Sequence, residues 1–514
     1  MAILVRKDAS KLSAISKWEP ALLWYAKAVA EMVSRPATDP TSWRFQAGIH
    51  GYNKNSDPLV KAGPLPTKAV QVKFWNKCQH GSWFFLPWHR MYLGFFEQIV
   101  RAAVVKVGGS PDWTLPYWNY SDTSNANART LPPAFLEPKL PDGSPNPLFV
   151  IQGVKILRAP AINAGKAAAI PIQDVDLTAC LGATFFSPDT DTTAGDLGFG
   201  GPAGGANHDG QFFGPKTVES LPHNAIHMDV GGQVTLGWMT NPDTAALDPI
   251  FWLHHANIDR LWSVWNGIST SNTDPSTSVN VGGRNISWST TVKFTFNNAA
   301  RKVVTMTPSQ VVDTKTTPFA YDYEDTKNPL AIKAKAAVAG ARRGIMKFQP
   351  RAEMVGASSG KVTLTGSPQT TTVAIREPSG PAKGPKAARA VAPALGQTYL
   401  QIENVVSKKS HATYEVYVNL PGKADSEESQ KHYAGALHLF GVRHASTKSA
   451  EHAGSGLNFS LDITELADAL KAKNAWDEKN VQVTFVPRGQ GGEARRAIPE
   501  HDPIRIGRIS VYQQ

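Results

Sequence analysis

Apolar residues in the first half of the chain recur with the period of a helix. Up to about residue 266, the apolar positions around Trp24, Phe95 and Trp262 follow this period, and long segments rich in Gly, Pro, Asn and Asp separate them. The segment from Ser121 to Gly214 is too long to be structureless in a compact domain, and such segments often line functional sites. The pattern predicts a mainly α domain, an antiparallel helical bundle with elaborate loops.

The second half changes to strand-type alternation. From Asn285 to Thr317, alternating apolar and polar residues predict short strands. After residue 345 the alternation is stronger, in segments such as KVTLTG, TYLQIENVV and ATYEVYVNL, and a helical period returns only around Ile463 to Lys473. This series of short alternating segments predicts an antiparallel β-sandwich as the C-terminal domain.

Two basic segments of low complexity interrupt the chain. Residues 331–344 (AIKAKAAVAGARRG) are small and basic with little to anchor them, so we predict a linker there. The predicted domains are then 1–330 and 345–514, and the length of 514 residues favours this division because one hydrophobic core rarely grows so large. Residues 378–396 predict a mobile basic loop inside the second domain.

Composition and charge exclude some classes of protein. Hydrophobic residues make up 41% of the chain, and no uninterrupted apolar run is long enough for a membrane span, so we predict a globular protein without one. A net charge of +11 would fit a nucleic-acid-binding protein, but many of the surplus cations lie in Ala/Pro/Lys-rich segments after residue 330. We therefore expect no nucleic-acid partner.

The N-terminal segment and the cysteines bear on the compartment. Residues 1–18 lack the apolar core of a signal peptide, and the two cysteines, Cys78 and Cys180, cannot form a disulfide framework. A single bridge between them stays open. These features predict a cytoplasmic protein in a reducing compartment.

Histidine is the residue type that indicates chemistry. Half of the 14 histidines fall in two clusters before residue 256. They are His50, His80 and His89, then His223, His227, His254 and His255. The spacing of His223 and His227 puts both imidazoles on one helix face, where they can bind one ion. Imidazole ligands suit Cu, Zn, Fe or Ni, and a site without carboxylates favours copper over Mg or Ca, but the histidine count alone does not choose between copper and zinc.

The sequences that flank these histidines resemble a known family. CQHGSWFFLPWHR (Cys78 to Arg90) and DPIFWLHHANIDR (Asp248 to Arg260) are similar to the two copper-binding signatures of tyrosinases, catechol oxidases and molluscan haemocyanins, and HNAIHMDVGG (from His223) supports the match. Residues 288–325, with the Tyr321-Asp-Tyr323 motif, resemble the region that closes the catalytic domain of plant polyphenol oxidases. The block with YEVYVNL, YAGALHLFG and VTFVPRG resembles their C-terminal domain more weakly. The resemblance implies a type-3 dicopper centre in the helical domain, with two copper ions per chain.

The resemblance also implies which histidines bind copper. The ligands of the first copper would be His50, His80 and His89, and those of the second would be His223, His227 and His255. In the His254-His255 pair, the second histidine matches the family's ligand, which leaves His254 as a neighbour. Asp259, one helical turn after His255, is placed to orient that imidazole.

Two further residues gain a role from their motif positions. Phe251 resembles the aromatic residue that packs against the copper centre in this family, whereas by itself it would be taken as ordinary core. Cys78 precedes His80 in the Cys-x-His arrangement of fungal tyrosinases, in which the sulfur is cross-linked to the ring of the copper ligand. The resemblance implies a thioether between Cys78 and His80, and a buried free thiol is the alternative.

Three activities remain open within this family: hydroxylation of monophenols, oxidation of o-diphenols alone as in a catechol oxidase, and oxygen carriage as in a haemocyanin. Glu219 and Asn224 match the pair that holds an active-site water in the resembling tyrosinases, where that water is the base for the incoming phenol. Taken alone, they would be a solvated carboxylate and a helix cap. The pair favours a tyrosinase that uses O₂ as co-substrate to convert phenolic substrates to o-quinones. A zinc-binding protein is the rival outside the family.

Three residues are predicted at the substrate entrance: Phe251, already named, Met228 and Pro242. Met228 follows His227 and lines the entrance, or else fills the core. Pro242 stands where many plant enzymes carry a bulky gate Phe, which implies an open approach to the first copper. The sequence names neither the physiological phenol nor the oligomeric state, and a homo-oligomer stays open.

The C-terminal domain is predicted to act as a lid. In the enzymes that it resembles, this domain packs over the mouth of the active site and inserts a side chain there, but the match around YAGALHLFG is too weak to name that residue. The alternative is a stabilising domain that never touches the site.

Overall fold

The structure is a computed structural model. The residues that it describes are 3–59, 63–167, 169–189, 194–206, 211–233, 236–276, 278–316, 318–330, 352–375, 396–409, 412–422, 426–449, 453–489 and 502–514. The predicted linker 331–344 lies outside them, and so does the predicted basic loop 378–396 apart from its last residue.

Helices dominate the first part of the chain, as predicted. They are α1 (Ala9–Ile15), α2 (Pro20–Ser34), α3 (Trp43–His50), α4 (Lys68–Phe74), α5 (Phe85–Lys106), α6 (Pro160–Asn163), α7 (Thr178–Leu181), α8 (Ala225–Gly231), α9 (Pro242–Ala245) and α10 (Ile250–Ile268). Helix α5 packs against both α2 and α10, and the contacts are buried aromatic and aliphatic side chains. In the described part of the chain, no helix is both long and apolar enough to cross a membrane.

Polar caps fix the starts of the helices that border the site. Ser42 accepts a hydrogen bond from the N–H of Phe45 at the start of α3, and Asn241 caps α9 in the same way. Such caps satisfy amide groups that the first helical turn leaves unpaired. Helix α3 is followed by Gly51, where a Cβ atom would lie 2.3 Å from the carbonyl oxygen of Pro242. Only glycine therefore permits α3 and α9 to meet this closely.

Short strands accompany the helices. They are β1 (Leu4–Arg6), β2 (Val150–Ile151), β3 (Val154–Lys155), β4 (Gln211–Phe213), β5 (Ser278–Val281), β6 (Arg284–Ser287), β7 (Phe294–Asn297), β8 (Val303–Met306) and β9 (Tyr321–Tyr323). The hairpins β5-β6 and β7-β8 lie where alternation predicted strands. Strand β1 pairs in parallel with β9 and so joins the start of the chain to the tyrosine motif.

The C-terminal part forms a large sheet. Its elements are β10 (Glu353–Ser358), β11 (Val362–Leu364), β12 (Gln369–Ile375), β13 (Thr398–Val406), β14 (Tyr414–Val418), α11 (Ser426–Gln430), β15 (Tyr433–Leu437), α12 (Val442–Ala445), β16 (Leu457–Asp462), α13 (Thr464–Ala472), β17 (Val481–Pro487) and β18 (Ile504–Gln513). The strands join in the order β15-β14-β17-β12-β10-β18-β13-β16-β4, with β11 beside β18. All of these pairs are antiparallel except β16 with β4, so the predicted antiparallel β architecture is confirmed.

The two parts of the chain share strands and cores. Strand β4 comes from the helical part, yet it pairs with β16 of the C-terminal sheet. Phe213 of β4 packs in the core of that sheet, whereas Phe440 of the C-terminal part packs in the helical core. An ion pair between Arg488 and the buried Asp174 crosses the same boundary. The C-terminal part is therefore built onto the helical part.

Candidate metal centre

Eight buried side chains that can bind metal ions form two adjacent groups. The first group is His50, Cys78, His80 and His89, and the second is His223, His227, His254 and His255. Within each group, one ligand atom from every residue lies within 4.8 Å of the others. The rings of His89 and His255 stack with centroids 4.3 Å apart, so the two groups touch. The structure thus brings together all six histidines that the resemblance named as ligands.

Five separate segments supply these histidines. His50 is the last residue of α3, His80 lies in the loop before α5, and His89 lies near the start of α5. His223 lies near the end of a wide helical turn (Glu219–Asn224), and His227 lies in α8, which continues that turn. His254 and His255 lie in α10. Because these segments are far apart in the chain, the packing of α3, α5, α8 and α10 creates the site.

Backbone carbonyl groups fix the orientation of three imidazoles. In each, the Nδ1–H donates a hydrogen bond to a buried carbonyl oxygen. The pairs are His50 with Pro242 (2.9 Å), His89 with Phe85 (2.8 Å) and His227 with Met239 (2.9 Å). An imidazole that donates from Nδ1 carries its lone pair on Nε2, which is then the atom that can bind a metal.

Several ring nitrogens of the two groups have no hydrogen-bond partner in the described part of the chain. Nε2 of His50, His223, His227 and His254 is buried with no hydrogen-bond partner among the described residues, and the same holds for both ring nitrogens of His255. Burial lowers the pKa of His50 to about 4 and moves the pKa of His223 and of His227 well below the ordinary range. Unpaired polar atoms are costly inside a protein, and neutral imidazole is the form that binds transition metals. The donor set fits copper.

The two neighbouring histidines of α10 have different surroundings. His255 stacks on His89 and lies 4.2 Å, between ring centroids, from Phe251. His254 shares a hydrogen bond of 3.1 Å with the hydroxyl group of Tyr120 through its Nδ1 atom. Burial lowers the pKa of His254 to about 3, so its ring is neutral as well. The second group therefore contains one more imidazole than three ligands require.

Two phenylalanines enclose the histidines. Phe251 packs edge-on against His50, with ring centroids 4.8 Å apart, in the position expected from its motif. Phe440 reaches in from the C-terminal part and stacks on His227, with centroids 4.0 Å apart and planes 17° from parallel. Its ring also meets His80 edge-on at 5.6 Å. The C-terminal part thus touches both groups of histidines through one side chain.

Glu219 and Asn224 both lie buried beside the histidines. The N–H of Gly81, the residue after His80, donates to both carboxylate oxygens of Glu219 at 2.9 and 2.8 Å. Burial raises the pKa of Glu219 well above its usual range despite this hydrogen bond. The Nδ1–H of His223 donates to Oδ1 of Asn224 at 2.9 Å, while Nδ2 of Asn224 is buried without a partner in the described part of the chain. Such a buried amide group needs a water molecule or a ligand to accept its hydrogen bond.

The mouth of the site is closed by the C-terminal part. Pro242, His50, Phe440 and His444 border a cavity of about 30 Å³, which holds one or two water molecules but no phenol. The open approach predicted beside Pro242 is therefore closed in this structure by Phe440. Met228 is fully buried in the helical core, the alternative considered for it.

Cys78 is a buried thiol next to two of the histidines. Its Sγ atom lies 3.5 Å from Nε2 of His80 and 3.3 Å from Nε2 of His89. Burial, followed by the charge of Glu219, raises the pKa of the Cys78 thiol well above its usual range. The bridge to Cys180 that the sequence left open is not formed, since both cysteines are free.

The predicted contact between Asp259 and the His255 imidazole is wrong, because neither ring nitrogen of His255 has a hydrogen-bond partner among the described residues. The groups that donate to the Asp259 carboxylate are the hydroxyls of Tyr321 and Tyr323 and the guanidinium groups of Arg6 and Arg90. Bonds between charged groups are stronger than those to a neutral imidazole, so the arginines occupy this acceptor. Asp259 instead ties α10, which carries His255, to the tyrosine motif on β9.

Comparisons with known proteins agree with this geometry. Residues 40–268 match the family model of the common central domain of tyrosinase, and residues 351–514 match that of a domain of unknown function. A tyrosinase from Hahella sp. (strain CCB-MM4) is 34% identical over 509 residues, which cover 96% of this chain and 97% of the relative. The chain belongs to the tyrosinase family. It is therefore a copper oxidoreductase, and two copper ions are its cofactor.

Other members of the tyrosinase family share both parts of the chain. The latent form of a chloroplastic polyphenol oxidase from Prunus armeniaca is 26% identical over 497 residues, 95% of this chain and 72% of the relative. The structure of latent apple tyrosinase matches with a TM-score of 0.57 at 20% identity and covers 100% of this chain and 98% of that one. The helical part followed by a C-terminal β part is thus a fold seen in solved structures.

The residue that the sequence did not identify is Phe440. Its only local signal is the glycine that follows, because Gly441 adopts a φ of +78°, a conformation that favours glycine. The resulting turn, between β15 and α12, presents the Phe440 ring to the histidines. A turn of this kind indicates a bend in the chain but not what the preceding side chain contacts.

Proposed function

We propose that this protein is a tyrosinase that uses dioxygen to hydroxylate monophenols and to oxidise o-diphenols to o-quinones. One dioxygen molecule converts one monophenol to an o-quinone and water, or two o-diphenols to two o-quinones and two waters. The observation that carries the monophenol step is the polar pair beside the histidines, the buried Glu219 carboxyl group and the unpartnered Nδ2 of Asn224.

We assign three imidazoles to each copper ion. The ligands are His50, His80 and His89 for the first ion, and His223, His227 and His255 for the second. The unpartnered ring nitrogens of His50, His223, His227 and His255, together with the lowered pKa of these imidazoles, support the assignment. The two ions, when bound, supply the binding and reduction of dioxygen. The protein holds the ligands rigidly and excludes water from the cavity.

The residues of the chain handle the proton of the phenol. Nδ2 of Asn224 donates to a water molecule, the Glu219 carboxylate accepts from that water, and the water takes the phenolic proton. Bound copper ions would oppose the effect of burial, because their positive charge would lower the pKa of Glu219. Deprotonation matters most for monophenols, because catechols ionise more readily.

A catechol oxidase without monophenol activity is the second candidate. One observation favours it: both oxygens of Glu219 already accept from the Gly81 N–H, and burial raises the pKa of this carboxyl group. A protonated Glu219 could not accept a proton from the water. Substitution at this pair separates the two candidates.

Replacing Glu219 with Gln, or Asn224 with Ala, should lower kcat/KM for 4-methylphenol by roughly a hundredfold, the scale of general-base catalysis. For 4-methylcatechol the loss should be only a few-fold, since less help with ionisation is needed. Oxygen uptake by copper-loaded protein measures both. Asn272→Ala is the control, because this buried amide donates to the carbonyl group of Trp265 and should leave the ratio unchanged. Equal losses on both substrates would show that Glu219 and Asn224 have a structural role. If the wild-type protein does not oxidise 4-methylphenol, the catechol oxidase is the candidate that remains.

We propose further that Cys78 and His80 form a thioether. The position of Sγ beside the His80 ring supports this. The thiol and one ring carbon each lose a hydrogen, and the two electrons pass to dioxygen. Intact-mass measurement of copper-loaded protein should show two hydrogens missing within the peptide that contains both residues. Cys180 is the internal control and should react with an alkylating reagent after denaturation, whereas an alkylated Cys78 would contradict the cross-link.

We propose that the C-terminal part is a lid. The stacking of Phe440 on His227 and the small residual cavity support this role, because a phenol has no room while the ring is in place. Turnover then requires the segment that carries Phe440 to withdraw.

A further inference from the structure

The segment that closes the site makes two kinds of contact with the catalytic part. Phe440 places an aromatic ring on His227, and Arg443 and His444 in α12 pair with the carboxylate of Asp243. Phe440 and Arg443 are three positions apart in the chain, so the backbone between them spans at most roughly 10 Å. An aromatic ring and a cationic group are thus held side by side at the mouth.

Asp243 is a fixed carboxylate next to the first group of histidines. It follows Pro242, whose carbonyl oxygen accepts from the Nδ1–H of His50. The Asp243 side chain is 2% exposed, and it pairs with Arg443, with Nε2 of His444 at 2.7 Å and with the hydroxyl group of Ser56 at 3.0 Å. Burial raises its pKa, but His444 and Arg443 outweigh this and hold the pKa below its usual range. Asp243 is therefore an ionised group, and both of the basic side chains that pair with it come from the lid.

A second cavity adjoins the first on the side of Asp243. It has a volume of about 180 Å³, and Tyr52, Asn76, Asp243 and Arg443 lie among its lining residues. Asn76 and His444 border both cavities. The space next to Phe440 therefore continues to the Asp243 carboxylate, and withdrawal of the lid segment would join the two into one passage.

We propose that Asp243 is a subsite for the cationic arm of an arylalkylamine phenol, and that the segment from Phe440 to His444 occupies this subsite as an internal analogue of such a substrate. The proposal rests on the proposed phenol oxidation. When the segment withdraws, Asp243 loses Arg443 and His444 and keeps the hydrogen bond from Ser56 of the catalytic part. A buried carboxylate without a counter-charge is costly, so the open site favours a phenol that carries an ammonium group.

The test compares two substrates that differ only at the end of the side arm. Tyramine carries an ammonium group where tyrosol carries a hydroxyl group. For the full-length, copper-loaded wild-type protein, we expect kcat/KM for tyramine to exceed kcat/KM for tyrosol by about tenfold. A preference of this size lies between the contributions of an exposed and of a buried ion pair. Asp243→Asn should bring the ratio close to one. The ratio cancels any general gain in activity from a loosened lid, because both substrates benefit equally.

Arg443→Gln is the matched variant, since it removes the lid's cation and keeps the carboxylate. It should raise turnover of both substrates and keep the tyramine preference. A ratio unchanged in Asp243→Asn, or lost in Arg443→Gln, would overturn the proposal. Competitive inhibition of wild type by 2-phenylethylamine and 2-phenylethanol needs no variant, and equal inhibition constants would overturn it as well. Failure of the proposed function would look different, because neither phenol would be oxidised.

Discussion

Replacing His255 with Ala should leave about one copper ion per chain and lower phenol oxidation by more than a hundredfold. Loss of a residue that merely supports a metal ligand typically costs about 10–100-fold in metal affinity or activity. Loss of the ligand itself should therefore cost more than this. His255 carries two unpartnered buried nitrogens and stacks on His89 of the other group. Metal analysis and oxygen uptake with 4-methylcatechol measure the two effects.

His254→Ala is the matched control for this experiment. His254 is adjacent, equally buried and part of the same four-histidine group, and its Nε2 atom also has no hydrogen-bond partner among the described residues, so only the motif position of His255 separates the two. The variant should keep two copper ions and most of its activity. The reverse result, with copper lost from the His254 variant and retained in the His255 variant, would exchange the two assignments.

Replacing Phe440 with Ala should raise turnover of 4-methylcatechol by roughly tenfold to a hundredfold. If the lid is withdrawn in only about 1–10% of molecules, the competent fraction limits the rate, and removal of the ring lifts that limit. The aromatic contact with His227, at 4.0 Å, is what the substitution removes. Initial rates of the full-length, copper-loaded variant and wild type provide the measurement.

Leu439→Ala controls for a general loosening of the C-terminal part. Leu439 is the preceding residue, but its side chain lies in the core of the C-terminal sheet and not against the histidines. Its truncation should cost about 2–5 kcal/mol of stability with little gain in turnover below the unfolding transition. An equal gain in both variants would show that loosening, and not removal of the ring, activates the protein.

These substitutions test the lid better than a chain shortened after residue 330. Strand β4 of the catalytic part pairs with β16, and Phe213 of β4 is buried in the C-terminal core. Truncation would expose this strand edge and ring, which favours aggregation. The backbone of β4 also lies against Gly81, where a Cβ atom would be 2.6 Å from the Cα of Gln211. Because Gly81 holds Glu219, truncation would disturb the site as well as open it.

The sequence by itself determined the local structure and the chemistry of the site. The helical period around Phe95 and Trp262 predicted the helices α5 and α10, which carry His89, His254 and His255. Alternation predicted the strands of the C-terminal sheet, because the two backbone geometries place side chains at different intervals. The candidate metal ligands were predicted from the resemblance of motifs in which several histidines lie on one helix or beside its start. These signals are short in range, so they can be read without knowing how the elements pack.

Tertiary structure decided which groups meet across the chain. The partner of Asp259 could not be predicted from its spacing to His255, because two arginines from other elements compete more strongly for the carboxylate. Phe440 carries no motif, and its role arises only because the pairing of β16 with β4 holds the C-terminal part against the site. The same packing brings α12 to Asp243. Contacts of this kind depend on the burial of whole surfaces, which no local pattern of residues encodes.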